Sequence, residues 1–252
     1  MADQEQANQD AVQIDTEYVT LTIADGTQMP AYVAHPKGKG KGKGLLILQE
    51  AFGVNAHMRD ITERFAREGY TSIAPALFHR TDPSFEGSYT DFQQVLPHLN
   101  AVTDEGQEAD VRAAYVWLTA QAGASAVGSI GYCLGGRTSF LTDTVLPVQA
   151  SVSYYGGGIT MNSGRPDLLP LAEKLHAPIL LFWGGKDSHI GPEVRRAVED
   201  GLIAAGKPYE VVTFSEADHG FFCDARASYN PVAAHQAWAL TLAFLENYLG
   251  TD

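Results

Sequence analysis

The chain has 252 residues, of which 45% are apolar and 19% charged, and its formal net charge is −13. This length is typical of one domain with a sizeable hydrophobic core. The acidic balance disfavours nucleic acid and anionic membrane surfaces as partners, because proteins bind both through clustered Lys and Arg side chains. No apolar run in the sequence is long enough to span a bilayer.

The N-terminal segment and the cysteines indicate a reducing compartment. Residues 1–16 are polar and acidic, without the apolar core of a signal peptide, and we expect a disordered tail. Cys133 and Cys223 form no Cys-x-x-Cys pair, which argues against a disulfide scaffold and a structural zinc site. The histidines show no metal-ligand spacing, so we predict no metal. We expect a cytoplasmic protein with a single domain over residues 17–252.

Strand-like and helix-like segments alternate along the chain. Residues 18–23 and 29–34 are predicted to form an antiparallel hairpin. Residues 37–44 alternate lysine and glycine, which is typical of a flexible connection rather than a phosphate-binding loop. Further strands are predicted at 45–48, 70–74, just before 131, 149–155, 179–183 and 209–214, and helices at 57–68, 91–96, 104–122, 137–145, 192–205 and after Asn230-Pro231. This order predicts an α/β fold with a mostly parallel central sheet and helices on both faces.

Residues 129–136, with the sequence Ser-Ile-Gly-Tyr-Cys-Leu-Gly-Gly, lie between an apolar run and a helix-compatible segment. A Gly-x-nucleophile-x-Gly turn in this context strains the backbone of its central residue and lets strand and helix approach closely. Cys133 would then lie at a helix N-terminus, where unpaired amides and the helix dipole favour the thiolate. A packed cysteine in a glycine-rich turn is the alternative that the motif alone leaves open.

Two further reactive residues follow predicted strands. In an open parallel sheet, sites form beyond the carboxyl ends of the strands. Asp187 and His219 each follow a strand, so nucleophile, acid and histidine occur in the chain order of α/β-hydrolases. In this hypothesis His219 is the base for Cys133, and Asp187 orients the imidazole. Taken singly, the aspartate could be a turn residue and the histidine an ordinary loop residue.

Attack of a thiolate on a carbonyl creates an oxyanion that needs two preorganised donors. The backbone amide of Leu134, directly after the nucleophile, is the first predicted donor. The second is expected from the loop after the strand at 45–48, where Ala51 is the candidate.

Four segments together resemble the dienelactone hydrolases (carboxymethylenebutenolidases), a cysteine-nucleophile branch of the α/β-hydrolase fold. They are residues 49–55 (Gln-Glu-Ala-Phe-Gly-Val-Asn), residues 131–136, Asp187, and residues 219–221 (His-Gly-Phe). The resemblance implies hydrolysis of a lactone or ester through an acyl-cysteine intermediate, without a cofactor. It also implies that Glu50 interacts with the resting thiol and takes part in its activation, which is reasonable because a nearby carboxylate changes the pKa of a thiol.

The same resemblance implies two arginines that hold a substrate carboxylate. Arg80 matches the first of them. Four residues after the histidine, where the second is expected, this chain has Cys223, and Arg226 is close but shifted. The expected substrate class is therefore a small lactone or ester, with an anionic group where the arginines bind one, rather than dienelactone itself. Three aromatic residues complete the predicted substrate contacts, namely Phe52, Phe78 and Tyr155.

Two alternatives stay open at this point. A class I glutamine amidotransferase, or a relative of the oxidative-stress protein DJ-1, also places a cysteine in a strand-to-helix turn. The amidotransferase pattern has an acidic residue two positions after its histidine, where this chain has Phe221. The other alternative is a non-catalytic binding or redox-sensing protein that keeps the same fold.

Overall fold

The computed structural model describes residues 12–38, 40, 42–160 and 165–250. The strands are β1 (Ile14–Thr22), β2 (Gln28–Pro36), β3 (Lys43–Leu48), β4 (Thr71–Pro75), β5 (Ala126–Tyr132), β6 (Ala150–Tyr154), β7 (Ile179–Gly184) and β8 (Tyr209–Phe214). They form one 8-stranded sheet in the order β1-β2-β4-β3-β5-β6-β7-β8. The pairs β1·β2 and β2·β4 are antiparallel, and the remaining neighbours are parallel. The predicted hairpin and mostly parallel sheet are confirmed.

The helices cover both faces of this sheet. They are α1 (Ala56–Arg67), α2 (Leu96–Ala101), α3 (Asp104–Val116), α4 (Leu134–Val145), α5 (Pro192–Ala204) and α6 (Pro231–Leu249). Asn55 begins α1 by accepting the amide of Met58, and Asn230 begins α6 by accepting the amide of Ala233. Both are side-chain caps of the kind that asparagine forms at helix starts. None of the described helices is both long and apolar enough to cross a membrane.

The hydrophobic core lies in two layers, one on each face of the sheet. Successive side chains of a strand point to opposite faces, so the apolar run 45–48 of β3 is buried on both sides. Leu45 and Ile47 join the layer that α1 and α6 cover, whereas Leu46 and Leu48 join the layer that α3 covers. This double burial holds the loop after β3 in place at the carboxyl end of the sheet.

The helix predicted over 104–122 divides into two parts. Helix α3 ends at Val116, and a π-helical turn, Trp117–Gln121, follows it. The hydroxyl of Thr119 donates to the carbonyl oxygen of Tyr115, and the amide of Ala122 donates to Trp117, one residue beyond the α-helical partner. Back-bonding by threonine and π turns both interrupt regular helices.

Other predicted boundaries also differ from the structure. Strand β1 begins at Ile14, inside the predicted tail, because these residues pair with the end of β2. Residues 1–11 of that tail lie outside the described residues. Of the predicted flexible connection at 37–44, residues 43 and 44 belong to β3 and pair with β5, and residues 39 and 41 lie outside the described part. The predicted helix at 91–96 is a 3₁₀ turn, Phe92–Gln94, followed by α2.

Candidate active site

Cys133 lies between β5 and α4 with a backbone that a non-glycine residue rarely adopts. Its φ of 54° and ψ of −111° are those of a strained turn. A side chain on Gly131 would collide with the carbonyl oxygen of Gly135, and one on Gly135 would collide with that of Leu48. The turn therefore requires both glycines. The half-buried thiol stands at the first turn of α4, as the motif predicts.

His219 connects Cys133 to Asp187. The Nε2 atom of His219 lies 3.1 Å from the Sγ atom of Cys133, and its Nδ1 atom lies 2.8 Å from Oδ2 of Asp187. The other oxygen of Asp187, Oδ1, accepts the backbone amides of His189 at 2.8 Å and Ile190 at 3.2 Å. These amides hold the carboxylate so that its second oxygen faces the imidazole. The loops after β5, β7 and β8 thus bring the three predicted side chains into one line.

The charges in this line favour an imidazolium. Burial by itself disfavours the charged ring, but the thiolate charge of Cys133 and the hydrogen bond to Asp187 raise the pKa of His219 to about 10. Burial by itself raises the pKa of the Asp187 carboxyl. The hydrogen bond from His219 and the two backbone amides outweigh burial and hold this pKa below its ordinary value. These surroundings therefore stabilise the protonated form of the His219 ring.

The ring of Tyr155 packs against the imidazole of His219. Its ring is fully buried, and the ring centroid lies 5.1 Å from that of His219. Its backbone has a positive φ of 39°, and its amide donates to the carbonyl oxygen of Phe182. The sequence predicts a substrate contact for Tyr155, and the structure places the ring against the histidine that would act on that substrate.

Glu50 and Arg226 form an ion pair. The carboxylate of Glu50 is 1% exposed, and its Oε1 atom accepts a hydrogen bond of 3.2 Å from Nη1 of Arg226. The guanidinium carbon of Arg226 lies 5.6 Å from the ring centroid of Phe52 and 5.9 Å from that of Tyr89. Burial disfavours its charge, but the carboxylate of Glu50 and the thiolate of Cys133 raise the pKa of Arg226. The arginine that is shifted in the sequence therefore reaches the site in the fold.

Arg80 and Phe78 lie among other partners. The guanidinium of Arg80 forms two hydrogen bonds of 2.9 Å to Asp110 and one of 2.8 Å to Asp25. The ring of Phe78 is 2% exposed, and its centroid lies 5.8 Å from that of Phe85. The protein itself supplies the carboxylates that Arg80 binds. The roles of both residues in substrate binding stay predictions.

The predicted oxyanion donors lie on segments that a hydrogen bond holds together. Leu134 is the first residue of α4, where backbone amides have no intrahelical acceptor. The amide of the next residue, Gly135, donates to the carbonyl oxygen of Gln49 over 2.9 Å. This bond joins the first turn of α4 to the segment that carries Ala51. The assignment of Leu134 and Ala51 as an oxyanion hole stays a prediction.

The structure also brings together a group that the sequence does not reveal. Ligand-type atoms of Glu50, His57 and Cys223 all lie within 4.8 Å of one another, and all three residues are buried. Burial raises the pKa of Cys223 to about 11. No spacing rule finds this group, because the loop after β8 brings its cysteine to a histidine in α1. The sequence offers a signal for only one of the three residues, since Cys223 replaces the second arginine of the family.

The sheet order, the strained turn after β5 and the line of contacts from thiol to carboxylate define a hydrolase of the α/β-hydrolase fold. Residues 29–249 match the model of the dienelactone hydrolase family. The chain therefore belongs to the dienelactone hydrolase family, and it is a hydrolase that acts on ester bonds.

Relatives and solved structures agree with this family. A protein of Synechocystis sp., provisionally named carboxymethylenebutenolidase, is 34% identical over 234 residues, which cover 90% of this chain and 94% of the relative. The crystal structure of a Klebsiella pneumoniae protein, provisionally named dienelactone hydrolase, has 33% identity and a TM-score of 0.85, covering 94% of this chain and 100% of that one. A Pyrococcus furiosus esterase, 16% identical with a TM-score of 0.72 and 94% coverage of both chains, shares the fold.

Proposed function

We propose that this hydrolase cleaves small lactones or esters through an acyl-cysteine intermediate on Cys133. The observation that carries the proposal is the pair of contacts made by His219, 3.1 Å to the sulfur of Cys133 and 2.8 Å to the carboxylate of Asp187. A nucleophile, a base and an orienting acid within hydrogen-bond reach are the arrangement that covalent hydrolysis requires.

In the acylation step, the sulfur of Cys133 attacks the carbonyl carbon, and the carbonyl electron pair moves to oxygen. The amides of Leu134 and Ala51 donate to this oxyanion. Collapse of the tetrahedral intermediate breaks the bond to the leaving oxygen, which takes its proton from the imidazolium of His219. A lactone is opened in this step and stays bound as a thioester that carries its own hydroxyl group.

In the deacylation step, a water molecule gives one proton to the now neutral His219 and attacks the thioester carbonyl. The sulfur leaves as a thiolate, so the product is a carboxylic acid and the thiolate–imidazolium pair is restored. Asp187 holds the imidazole in the same orientation in both steps, because the amides of His189 and Ile190 fix its other oxygen.

Glu50 is proposed to tune the reactivity of the thiol. Arg226 is proposed to bind an anionic group of the substrate. The family resemblance gives the glutamate a role in activating the resting thiol, and the contact with Arg226 supports this role by holding the carboxylate in place. An anionic substrate would offer Arg226 a second carboxylate close to the reacting carbon. Phe52 and Tyr89 provide apolar walls on the same side. Arg80 is the second proposed contact, and a substrate that reaches it must compete with Asp110.

The test is hydrolysis of a chromogenic ester such as p-nitrophenyl acetate by the purified protein and by Cys133→Ala. We expect turnover by the wild type, its loss in the variant, and inactivation by iodoacetamide with the label on Cys133 by mass spectrometry. Cys223 is fully buried, so it serves as an internal control that stays unlabelled. Full activity in Cys133→Ala would overturn the proposal, and glutamine-dependent ammonia release would point to the amidotransferase instead.

The substrate class is tested with matched lactones that differ only by a carboxylate. We expect preference for the anionic member, and a loss of that preference in Arg226→Ala through a higher KM. The same comparison in Arg80→Ala tests whether the first predicted arginine takes part. Unchanged selectivity in both variants would contradict the proposed anionic class.

A further inference from the structure

Three buried side chains of metal-ligating type meet at Glu50, the residue with a proposed role in activating the thiol. Glu50, His57 and Cys223 are 1%, 8% and 0% exposed, and their ligand atoms all lie within 4.8 Å of one another. They come from three separate segments, the loop after β3, the first turn of α1 and the loop after β8. Convergence of a carboxylate, an imidazole and a thiol in a buried place needs a physical reason, because each side chain loses hydration there.

Two buried polar atoms of these side chains have no hydrogen-bond partner among the described residues. Oε1 of Glu50 accepts from Arg226, but Oε2 is buried and has no hydrogen-bond partner among the described residues. Nε2 of His57 is likewise buried, and no described residue bonds to it. A buried polar atom left unsatisfied costs about 1–3 kcal/mol. A group that both atoms could bind at once would remove both costs.

We propose that Glu50, His57 and Cys223 bind a divalent cation of the zinc type. Thiolate, imidazole and carboxylate are the three ligand classes that zinc uses, and three protein ligands leave a fourth position open. The thiolate and carboxylate charges together neutralise a divalent ion, so the loaded site carries no net charge in its buried surroundings. Bonds of about 2.0–2.3 Å place tetrahedral ligand atoms about 3.3–3.8 Å apart, so binding requires the ligand atoms to approach one another by at most about 1.5 Å.

The surroundings provide an orienting group and a route for the ion. Oδ1 of Asp224 lies 3.8 Å from Nδ1 of His57, which leaves the unpartnered Nε2 atom for the ion. A carboxylate on the distal nitrogen orients metal-binding imidazoles in this way. His57 and Asp224 also line a cleft of about 150 Å³, whose wall includes the carboxylate of Asp60. The side chain of Asp224 is 75% exposed, so solvent reaches this cleft, which Arg64 also lines, beside the histidine.

A bound ion would change the chemistry of Glu50. The carboxylate would then be shared between Arg226 and the metal, and it could no longer act on the thiol of Cys133. We expect reversible inhibition of hydrolysis by the ion, and this consequence rests on the proposed function. Binding itself is measured in a protein without the nucleophile, so the two proposals can fail separately.

The experiment is titration of the Cys133→Ala protein with Co²⁺, a spectroscopic substitute for Zn²⁺. Cys223 is the only cysteine left in this variant, because the chain has two. We expect about one Co²⁺ per chain, a thiolate-to-cobalt charge-transfer band, and displacement of Co²⁺ by Zn²⁺. Adding Cys223→Ser should abolish the band, and adding His57→Gln should weaken affinity at least about tenfold.

Controls separate the site from adventitious binding and from misfolding. His35→Gln in the same background changes a histidine on β2, away from the cluster, and should leave the affinity unchanged. Circular dichroism and the melting temperature identify any variant that does not fold. If Cys223→Ser does not fold, the Co²⁺ affinity of His57→Gln alone tests the site. No charge-transfer band at saturating Co²⁺, or a band of equal affinity in His57→Gln, would overturn the proposal.

The inhibitory consequence is read in the protein that retains Cys133. We expect Zn²⁺ to lower the hydrolysis rate of the wild type at a concentration close to that which displaces Co²⁺, and a chelator to restore it. His57→Gln, compared with its own rate in the absence of zinc, should require at least about tenfold more Zn²⁺. Inhibition of equal potency in both proteins would overturn this consequence.

Discussion

Asp187 determines which nitrogen of His219 can accept a proton. One of its oxygens accepts the amides of His189 and Ile190, and only the other faces the imidazole. An acceptor at Nδ1 requires that this nitrogen carry hydrogen, which leaves Nε2 free to exchange a proton with Cys133. The same two amides would hold the oxygen of an asparagine at this position and turn its NH₂ group toward the ring.

We therefore expect Asp187→Asn to fold normally and to lose activity. The amide donates to Nδ1, so the hydrogen of the neutral ring moves to Nε2 and the ring cannot take the thiol proton. A loss of about 10³–10⁴-fold in kcat is expected for such a tautomer error. Glu216→Gln removes a negative charge from an exposed position in the same region and is the matched control. An Asp187→Asn enzyme with wild-type kcat would contradict the proposed role.

At the level of elements, the turn between β5 and α4 requires glycine because any larger side chain would overlap neighbouring backbone atoms. A methyl group on Gly135 would collide with the backbone of Leu48 and Gln49, which belong to β3 and its loop. The collision partners are backbone atoms of a strand that is buried on both faces, so they cannot move aside. The start of α4 and the Glu50 loop therefore share one close contact.

Gly135→Ala should lower both stability and activity. We expect a loss of about 1–3 kcal/mol in the free energy of unfolding from overpacking, and a larger fractional loss in kcat because the thiol moves. Gly157→Ala is the control, since its methyl group would meet only Ile190 at 3.7 Å, an ordinary contact. Urea unfolding and ester hydrolysis of both variants provide the measurement. Equal behaviour of the two alanine variants would refute the close-contact argument.

At the scale of the whole molecule, one buried carboxyl links stability to pH. Asp143 on α4 is fully buried, and its Oδ1 accepts the amides of His176 at 2.8 Å and Ala177 at 2.9 Å. Burial raises its pKa to about 6 from an ordinary value of 3.8, although both amides oppose this. Between these two values the folded state holds a proton that the unfolded state has released. The free energy of unfolding therefore falls as pH rises through this window.

Asp143→Asn should remove this dependence. Asparagine keeps an oxygen for the two amides and carries no charge. The free energy of unfolding of the variant should therefore rise relative to that of the wild type by up to about 3 kcal/mol between pH 4 and pH 7. Urea unfolding at a series of pH values measures the difference. Asp200→Asn, at an exposed position of α5, controls for the change in net charge. Parallel pH profiles for the wild type and Asp143→Asn would show that this carboxyl does not titrate in the window.

Much of the architecture and the central line of the site follow from local patterns. The apolar run of β3, the caps at Asn55 and Asn230, and the glycines around Cys133 are each required by rules that act over a few residues. Asp187 and His219 were predicted because parallel strands bring their carboxyl ends to one edge. The end of α3 was missed, because an interruption by Thr119 depends on a back-bond that helical periodicity does not show.

By itself the sequence determined the fold class and the three residues of the line from Cys133 to Asp187, because strand order and turn chemistry are local properties. Only the tertiary structure decided what surrounds Glu50. The loop after β8 carries both Arg226 and Cys223 to this carboxylate, and α1 adds His57. The path of that loop is set by packing in three dimensions rather than by spacing in the chain. For the same physical reason, Arg226, which is shifted in the sequence, reaches Glu50 in the fold. Three buried side chains of metal-ligating type likewise meet where no motif indicates a cluster.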